Sequence, residues 1–394
     1  MENHPTNIWW GVVAAFCASL VGIGLARFAY TPLLPAIIHA HWFDQSAAAY
    51  LGASNLAGYL LGALLGRPLA ARTSTVAMLR GMMLAATAAF FACTVPLSFG
   101  WFFFWRSFSG FAGGVLMVLA APTVLPLVPQ ARRGLASGLI FTGVGGGIAA
   151  SGTLVPFLIE KGLGTAWMGL GWLSLLMTAI AWKGWPEKVV LPAMIHSAQP
   201  PPDLGTLRAL YLEYALNAAG WVPHMIFLVD FVARGLGEGL AAGAKYWVLF
   251  GIGATVGPLL TGTLADQTGF GRALRLAFAL EACGVALPAV NTTPWSLAAS
   301  SLTVGACLTG TVALVLGRVH ELLVNHPGHQ SPAWRTATVA FALFQAVAAY
   351  GMSFIFVRSG GNYRLLFLIG TASLVLALII DLFAARSHVG RGQA

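Results

Sequence analysis

Charge is what this chain has least of. Asp, Glu, Lys and Arg make up 8% of its 394 residues, where a soluble domain carries about 25%, so water is not its main solvent. Acids are the scarcer sign, 12 against 21 basic residues. In a soluble protein the resulting +9 would suggest nucleic acid. In so apolar a chain it reads as the positive-inside bias of a membrane protein, and no nucleic-acid partner is expected. Cysteine is scarce too. Cys17, Cys93, Cys283 and Cys307 all fall inside apolar runs, which excludes a disulfide framework or metal cluster and leaves them as small packing residues. His39-x-His41 with Asp44, and His326-x-x-His329, lack a further ligand, so no metal or other cofactor is expected. Gly145-Gly146-Gly147 is not followed by Gly-Lys-Ser/Thr, which argues against a phosphate loop and ATP-driven work. The first apolar run lacks a basic n-region and a convincing cleavage site and reads as a retained span.

What the chain has is apolar length: 58% apolar residues and a mean hydropathy of +0.80. Apolar runs of about 20 residues, enough to cross a bilayer as a helix, recur between short polar breaks. They predict twelve spans near 8–37, 46–66, 75–95, 100–121, 134–159, 164–182, 206–231, 243–262, 273–291, 295–317, 335–357 and 364–384. The first and seventh are longer than a crossing needs. Pro32, Pro35 and Pro223 are their expected kink points, because proline removes a backbone donor. Trp9, Trp10, Trp101, Trp105, Trp182 and Trp185 stand at span ends, as an interfacial belt requires. With the N-terminus inside, 14 Lys and Arg fall on the cytoplasmic side and 5 on the other, and Arg27 and Arg106 lie within spans. That asymmetry places both termini in the cytoplasm.

Residues 183–205 form the one sizeable linker, with a Pro-Pro-Pro-Asp run suited to extended surface chain. It divides the sequence into halves, 1–182 and 206–394. A shift of 196 residues brings Tyr246 onto Tyr50, Gly262 onto Gly66 and Gly220 onto Gly24. Two six-span halves related by duplication suit a carrier whose site lies between repeats near the bilayer midplane.

Residues 262–275 read Gly262-Thr-Leu-Ala-Asp266-Gln-Thr-Gly269-Phe-Gly271-Arg272-Ala-Leu-Arg275. Glycines at 269 and 271 predict a tight reversal between two spans. The pattern resembles the signature loop of the major facilitator superfamily, and residues 66–71 form a degraded copy in which Ala70 replaces Asp266. Arg106-x-x-x-Gly110 resembles the family's helix-four motif, tied there to proton or substrate coupling. Gly143-x-x-x-Gly147 with Ser151-Gly152 resembles its antiporter motif, with Ile148 where the family has proline and Ser151 where it has glycine. The run Gly24-Leu-Ala-Arg27-Phe-Ala-Tyr30-Thr-Pro32-Leu-Leu-Pro35, with Ala120-Ala-Pro122 and Gly220-Trp-Val, resembles the bacterial YbfB/YjiJ-type transporters. The resemblance implies an all-α integral membrane protein of the major facilitator fold, twelve helices in two six-helix bundles. It implies a monomeric secondary transporter of the bacterial inner membrane, in which residues 262–275 act as a cytoplasmic latch through Gly262, Asp266, Gly269 and Arg272.

Polar side chains at bilayer depth are costly and mark the candidate site. Arg27, about 19 residues into the first span and on one face with Ser19 and Tyr30, could hold an anion, pair with a carboxylate, or snorkel to the interface. Arg106 lies near one end of its span. Glu213, Asn217, Gly220 and His224 form one stripe of the seventh span, which should face a central cavity or a partner helix. Glu213 is an acid that could exchange protons, and His224 is an imidazole whose ordinary range brackets neutral pH. Asn55 and Tyr59 in span two, and Gln345 and Tyr350 in span eleven, could hydrogen-bond a substrate or join helices. Glu281 reads as structural, its helix being peripheral in the family's fold. The expected function is alternating-access transport of a small organic solute, coupled to H⁺. The alternative within transport is export of a drug or metabolite by H⁺ antiport in place of organic-anion uptake. A polytopic membrane enzyme or a sensor is the other class; the first needs a clustered nucleophile or metal set, the second a soluble output domain, and the sequence offers neither.

Overall fold

The computed structural model describes residues 8–129, 132–186 and 204–391; of residues 133–135, 137, 204, 266, 327–328, 331 and 385–391 it describes the backbone only. The regular elements among them are helices: α1 (Ile8–Ser19), α2 (Tyr30–His39), α3 (Gln45–Arg72), α4 (Thr75–Ala92), α5 (Phe99–Val124), α6 (Arg133–Ile159), α7 (Leu163–Ala181), α8 (Leu204–Gly220), α9 (Val222–Asp230), α10 (Leu240–Thr268), α11 (Phe270–Val290), α12 (Pro294–Leu322), α13 (Pro327–Arg358) and α14 (Tyr363–Arg391). They supply twelve segments long and apolar enough to cross a membrane, α1–α2 and α8–α9 each acting as one. A helix satisfies its own backbone groups, which the lipid interior demands. Short polar caps start several of them. Asp44 Oδ1 accepts from Ala47 N at 2.7 Å, and Ser98 Oγ from Trp101 N at 3.1 Å, each using a donor the first turn would otherwise leave open.

The first and seventh spans are broken. In the first, α1 runs into a π-helical turn, Leu20–Leu25, then an irregular turn at 26–29 before α2. In the seventh, Trp221 separates α8 from α9, which ends in a second π-helical turn, Phe231–Gly235. Pro32 and Pro223 lie in the first turn of α2 and of α9, where a missing N–H is tolerated. Their effect is thus a helix restart just upstream; Pro35 remains inside α2. The two breaks share a register, since Trp221 shifted by 196 residues falls on residue 25, beside Ala26.

Contacts gather the chain into two compact units. The first takes the chain through α7 together with Ile226–Thr255; the second takes α8 to Met225 and the chain from Val256 onward. Ile226–Thr255, part of the second half by sequence, therefore groups with the first unit. Of the linker, residues 187–203 lie outside the described residues.

Within the first unit α3 and α5 approach so closely that their glycines are obligatory. A methyl group at Gly58 would overlap the Ser107 carbonyl, and one at Gly110 the Asn55 carbonyl. Small residues at fourfold spacing permit such backbone contact between membrane helices. Leu61, Leu64 and Leu65 of α3 and Trp172 and Leu176 of α7 are exposed, as a lipid-facing surface requires. Trp9, Trp10, Trp101 and Trp182 are exposed at span ends, whereas Trp185 is buried and stands outside the expected belt.

Candidate functional site

The break in the first span is where the N-terminal candidates meet. The Ala26 carbonyl accepts from Arg106 Nη1 at 2.8 Å and from Asn55 Nδ2 at 3.3 Å. Asn55 Nδ2 also reaches the Arg106 carbonyl at 3.1 Å and Ser109 Oγ at 2.9 Å. Arg106 and Asn55 thereby tie α5 and α3 to a carbonyl at the irregular turn, a site where orphaned backbone groups would otherwise cost several kcal/mol. The Arg106 guanidinium lies 4.4 Å from the centre of the Tyr30 ring, and Tyr30 Oη donates to the Ala48 carbonyl at 2.7 Å. Arg27, next along the break, is buried with its guanidinium 4.9 Å from the Tyr59 ring centre and 5.2 Å from that of Phe28. Such cation–aromatic contacts are stronger away from water. Five sequence candidates, Arg27, Tyr30, Asn55, Tyr59 and Arg106, thus form one cluster. Arg106 turns towards Phe90, Trp105 and Trp167 in a space too tight for a water molecule.

The glycines of span five pack against the same break. A methyl group at Gly147 would come within 2.6 Å of Gly24 Cα, and one at Gly24 within 2.8 Å of Gly147 Cα. On the other face of α6, a methyl at Gly152 would meet Val248 of α10. Close packing on two sides accounts for this ridge.

In the second unit the polar stripe of the seventh span faces partner helices. Asn217 of α8 donates to Glu281 Oε2 of α11, and Glu281 is fully buried. His224 of α9 meets Ser300 of α12, Nε2 to Oγ at 2.7 Å, while Ser300 Oγ donates to the Gly284 carbonyl at 2.7 Å. Since Ser300 gives its proton to Gly284, the imidazole must donate from Nε2. Phe367 packs edge-on against the ring at 5.2 Å. Glu213 is buried with Arg275, Arg318 and Asp381 as its charged neighbours. Gln345 of α13 is fully buried, and neither its oxygen nor its nitrogen has a hydrogen-bond partner among the described residues. Tyr350 is half-buried. Sequence reasoning does not pair Asn217 with Glu281, or Arg275 with Asp381. A helical stripe shows which residues share a face and not what that face meets.

The signature loop reduces to one residue. Gly269, with φ +83°, joins α10 to α11. Gly271, expected to share the reversal, is helical and instead makes room for Arg318, whose Cζ would lie 3.3 Å from an added methyl. Arg275 pairs with Asp381 of α14, and Arg318 with Glu321 at 2.5 Å. Arg272 is exposed, and Gly262 has open space beside it. Asp266 lies in α10 with its side chain outside the described residues.

Known proteins share this plan. A xylose transporter of E. coli, in a partially occluded inward-open conformation, superposes with a TM-score of 0.70 at 14% identity, covering 94% of this chain and 96% of its own. The gallate transporter of Pseudomonas putida is 23% identical over 397 residues, 87% of this chain and 84% of that protein. A protein of Streptomyces coelicolor described as a probable transporter is 29% identical over 285 residues, 69% of this chain, which spans 65% of that relative's length. The family described as uncharacterised MFS-type transporter YbfB matches residues 19–382, so the chain, a multi-pass membrane protein of twelve apolar helices, belongs to that family of major facilitator transporters.

Proposed function

We propose that this transporter carries a small organic anion across the bacterial inner membrane, with Arg27 as the anchor for its negative group. The observation that carries the reading is a buried guanidinium at a helix break, framed by the Tyr59 and Phe28 rings. Broken helices supply binding sites in many secondary carriers, and a cation buried at bilayer depth calls for a function. The relative named for gallate, an aromatic carboxylate, supports the same class of solute. In the second unit Gln345 is buried with both ends of its amide unpartnered among the described residues, which costs about 1–3 kcal/mol in proteins and makes it a polar group open to a ligand of that unit. Transport proceeds by alternating access in a monomer with both termini cytoplasmic. It is driven by H⁺ exchanging on buried acids of the second unit, and Asp266, Gly269 and Arg272 bias one state as a latch. The antiporter-like glycines do not favour export, because Gly147 and Gly152 are accounted for by packing.

A thermal-shift screen in detergent against metabolites and antibacterial compounds tests this reading. Small carboxylates at 100 times their Kd should stabilise the protein by roughly 2.7 kcal/mol, and Arg27→Ala should remove the effect. If bulky or cationic compounds stabilise it and carboxylates do not, the solute is an exported hydrophobic compound and the anion reading falls.

A further inference from the structure

We propose that Glu281 of α11 is a proton-binding site, and that Asn217 links its protonation to the broken seventh span. The inference rests on the H⁺-coupled reading above and names the acid that takes the proton. Glu281 is fully buried and Asn217 nearly so. Asn217 Nδ2 donates to Oε2, while Oε1 has no hydrogen-bond partner among the described residues. The donor is neutral, so among the described residues the carboxyl has no ion-pair partner to hold it as an anion.

The groups on the elements packed against α11 leave that picture intact. On α11 itself Arg275 precedes Glu281 by six residues, about 9 Å along the helix, and is paired with Asp381 of α14. From α12 come the Cys307 thiol, which donates to the Ala277 carbonyl, and Arg318, eleven residues further on and paired with Glu321. From α8 comes Glu213, one turn before Asn217 and grouped with Arg275, Arg318 and Asp381. Arg364 at the start of α14 is exposed. The arginines of this region are thus taken by other acids, Arg275 by Asp381 and Arg318 by Glu321. An unpaired buried carboxylate costs several kcal/mol, and a proton on Oε1 removes that charge. The proton comes from water on one side of the membrane and returns to water on the other, with no change in oxidation state anywhere.

Asn217 makes this site more than a buried acid. It lies four residues before Trp221, where the seventh span breaks, so movement of α8 against α11 must lengthen or keep the Asn217–Glu281 bond. The charged carboxylate accepts more strongly than the neutral acid. Proton binding thus weakens the bond that ties α8 to α11.

The test uses the full-length protein in liposomes and infrared difference spectra on the same preparation. In wild type, a pH step should give a carbonyl stretch of a buried protonated carboxyl, and the band should vanish in E281Q. E281Q should retain exchange of labelled carboxylate without a gradient and lose accumulation driven by a pH gradient. N217A should keep the infrared band and shift the pH at which it appears, which a purely structural role for the amide would not do. An unchanged band in E281Q, or gradient-driven accumulation at the wild-type level, overturns the assignment. If a protonophore leaves wild-type accumulation untouched, the H⁺-coupled reading fails, and the infrared band alone then decides whether Glu281 binds the proton.

Discussion

At the scale of single residues, Arg27 and Arg106 look alike in sequence and differ in surroundings. Without its guanidinium, Arg106 would leave the Ala26 carbonyl with Asn55 Nδ2 at 3.3 Å as its side-chain donor. Arg106→Gln should therefore destabilise the protein by about 2 kcal/mol, the order of a charged hydrogen bond, read as a lower melting temperature. Arg27→Gln should lose the response to carboxylates, which Arg106→Gln should keep; with two ring contacts, each worth about 2 kcal/mol when desolvated, it should lower the melting temperature as well. If the two variants melt alike and bind alike, the division between a residue that holds the break and one that binds solute is wrong. Both arginines are legible in the sequence because charge at bilayer depth is conspicuous. The partner of Arg106 is not, since it is a backbone carbonyl whose exposure depends on a π-helical turn that no side-chain pattern announces. Glu281 reads as structural in the sequence because its helix is peripheral in the family's fold, and its bond to Asn217 exists only once α8 packs on α11.

Between helices, close approach decides which glycines matter. Gly58→Val would drive a side chain into the Ser107 backbone of α5, and helix backbones cannot yield as side chains do. The variant should give little folded protein, whereas Gly262→Val, with open space around it, should purify at the wild-type yield. Gly269→Ala falls between them, because φ +83° costs an L-residue about 1–2 kcal/mol. Chromatographic profiles and melting of the three variants check the order; a folded Gly58→Val would show that α3 and α5 can separate. Ser54, Gly58, Gly62 and Gly66 of span two are readable as a close-packing ridge from their fourfold spacing alone. Gly271 shows the limit: spacing cannot distinguish a glycine that turns the chain from one that makes room for Arg318.

For the whole molecule, twelve spans follow from hydropathy because the bilayer imposes one length on every crossing. The six-plus-six repeat is visible as matched order and as breaks at equivalent registers. The grouping of Ile226–Thr255 with the first unit cannot be read from a repeat, which records ancestry and not packing. Orientation rests on charge alone. The connections on one side carry Lys161, Arg234, Lys245, Arg358 and Arg364, and the connections, linker and C-terminal segment on the other carry 14 basic residues; near span ends this bias governs which side stays in the cytoplasm. A green fluorescent protein fused after Ala394 should therefore fluoresce, as it does only when folded in the cytoplasm. Alkaline phosphatase at the same place should be inactive, and phosphatase inserted between α2 and α3 should be active. Active phosphatase at the C-terminus would invert the map, placing Glu213 and residues 262–275 on the outer side, so that the latch would close against the periplasm.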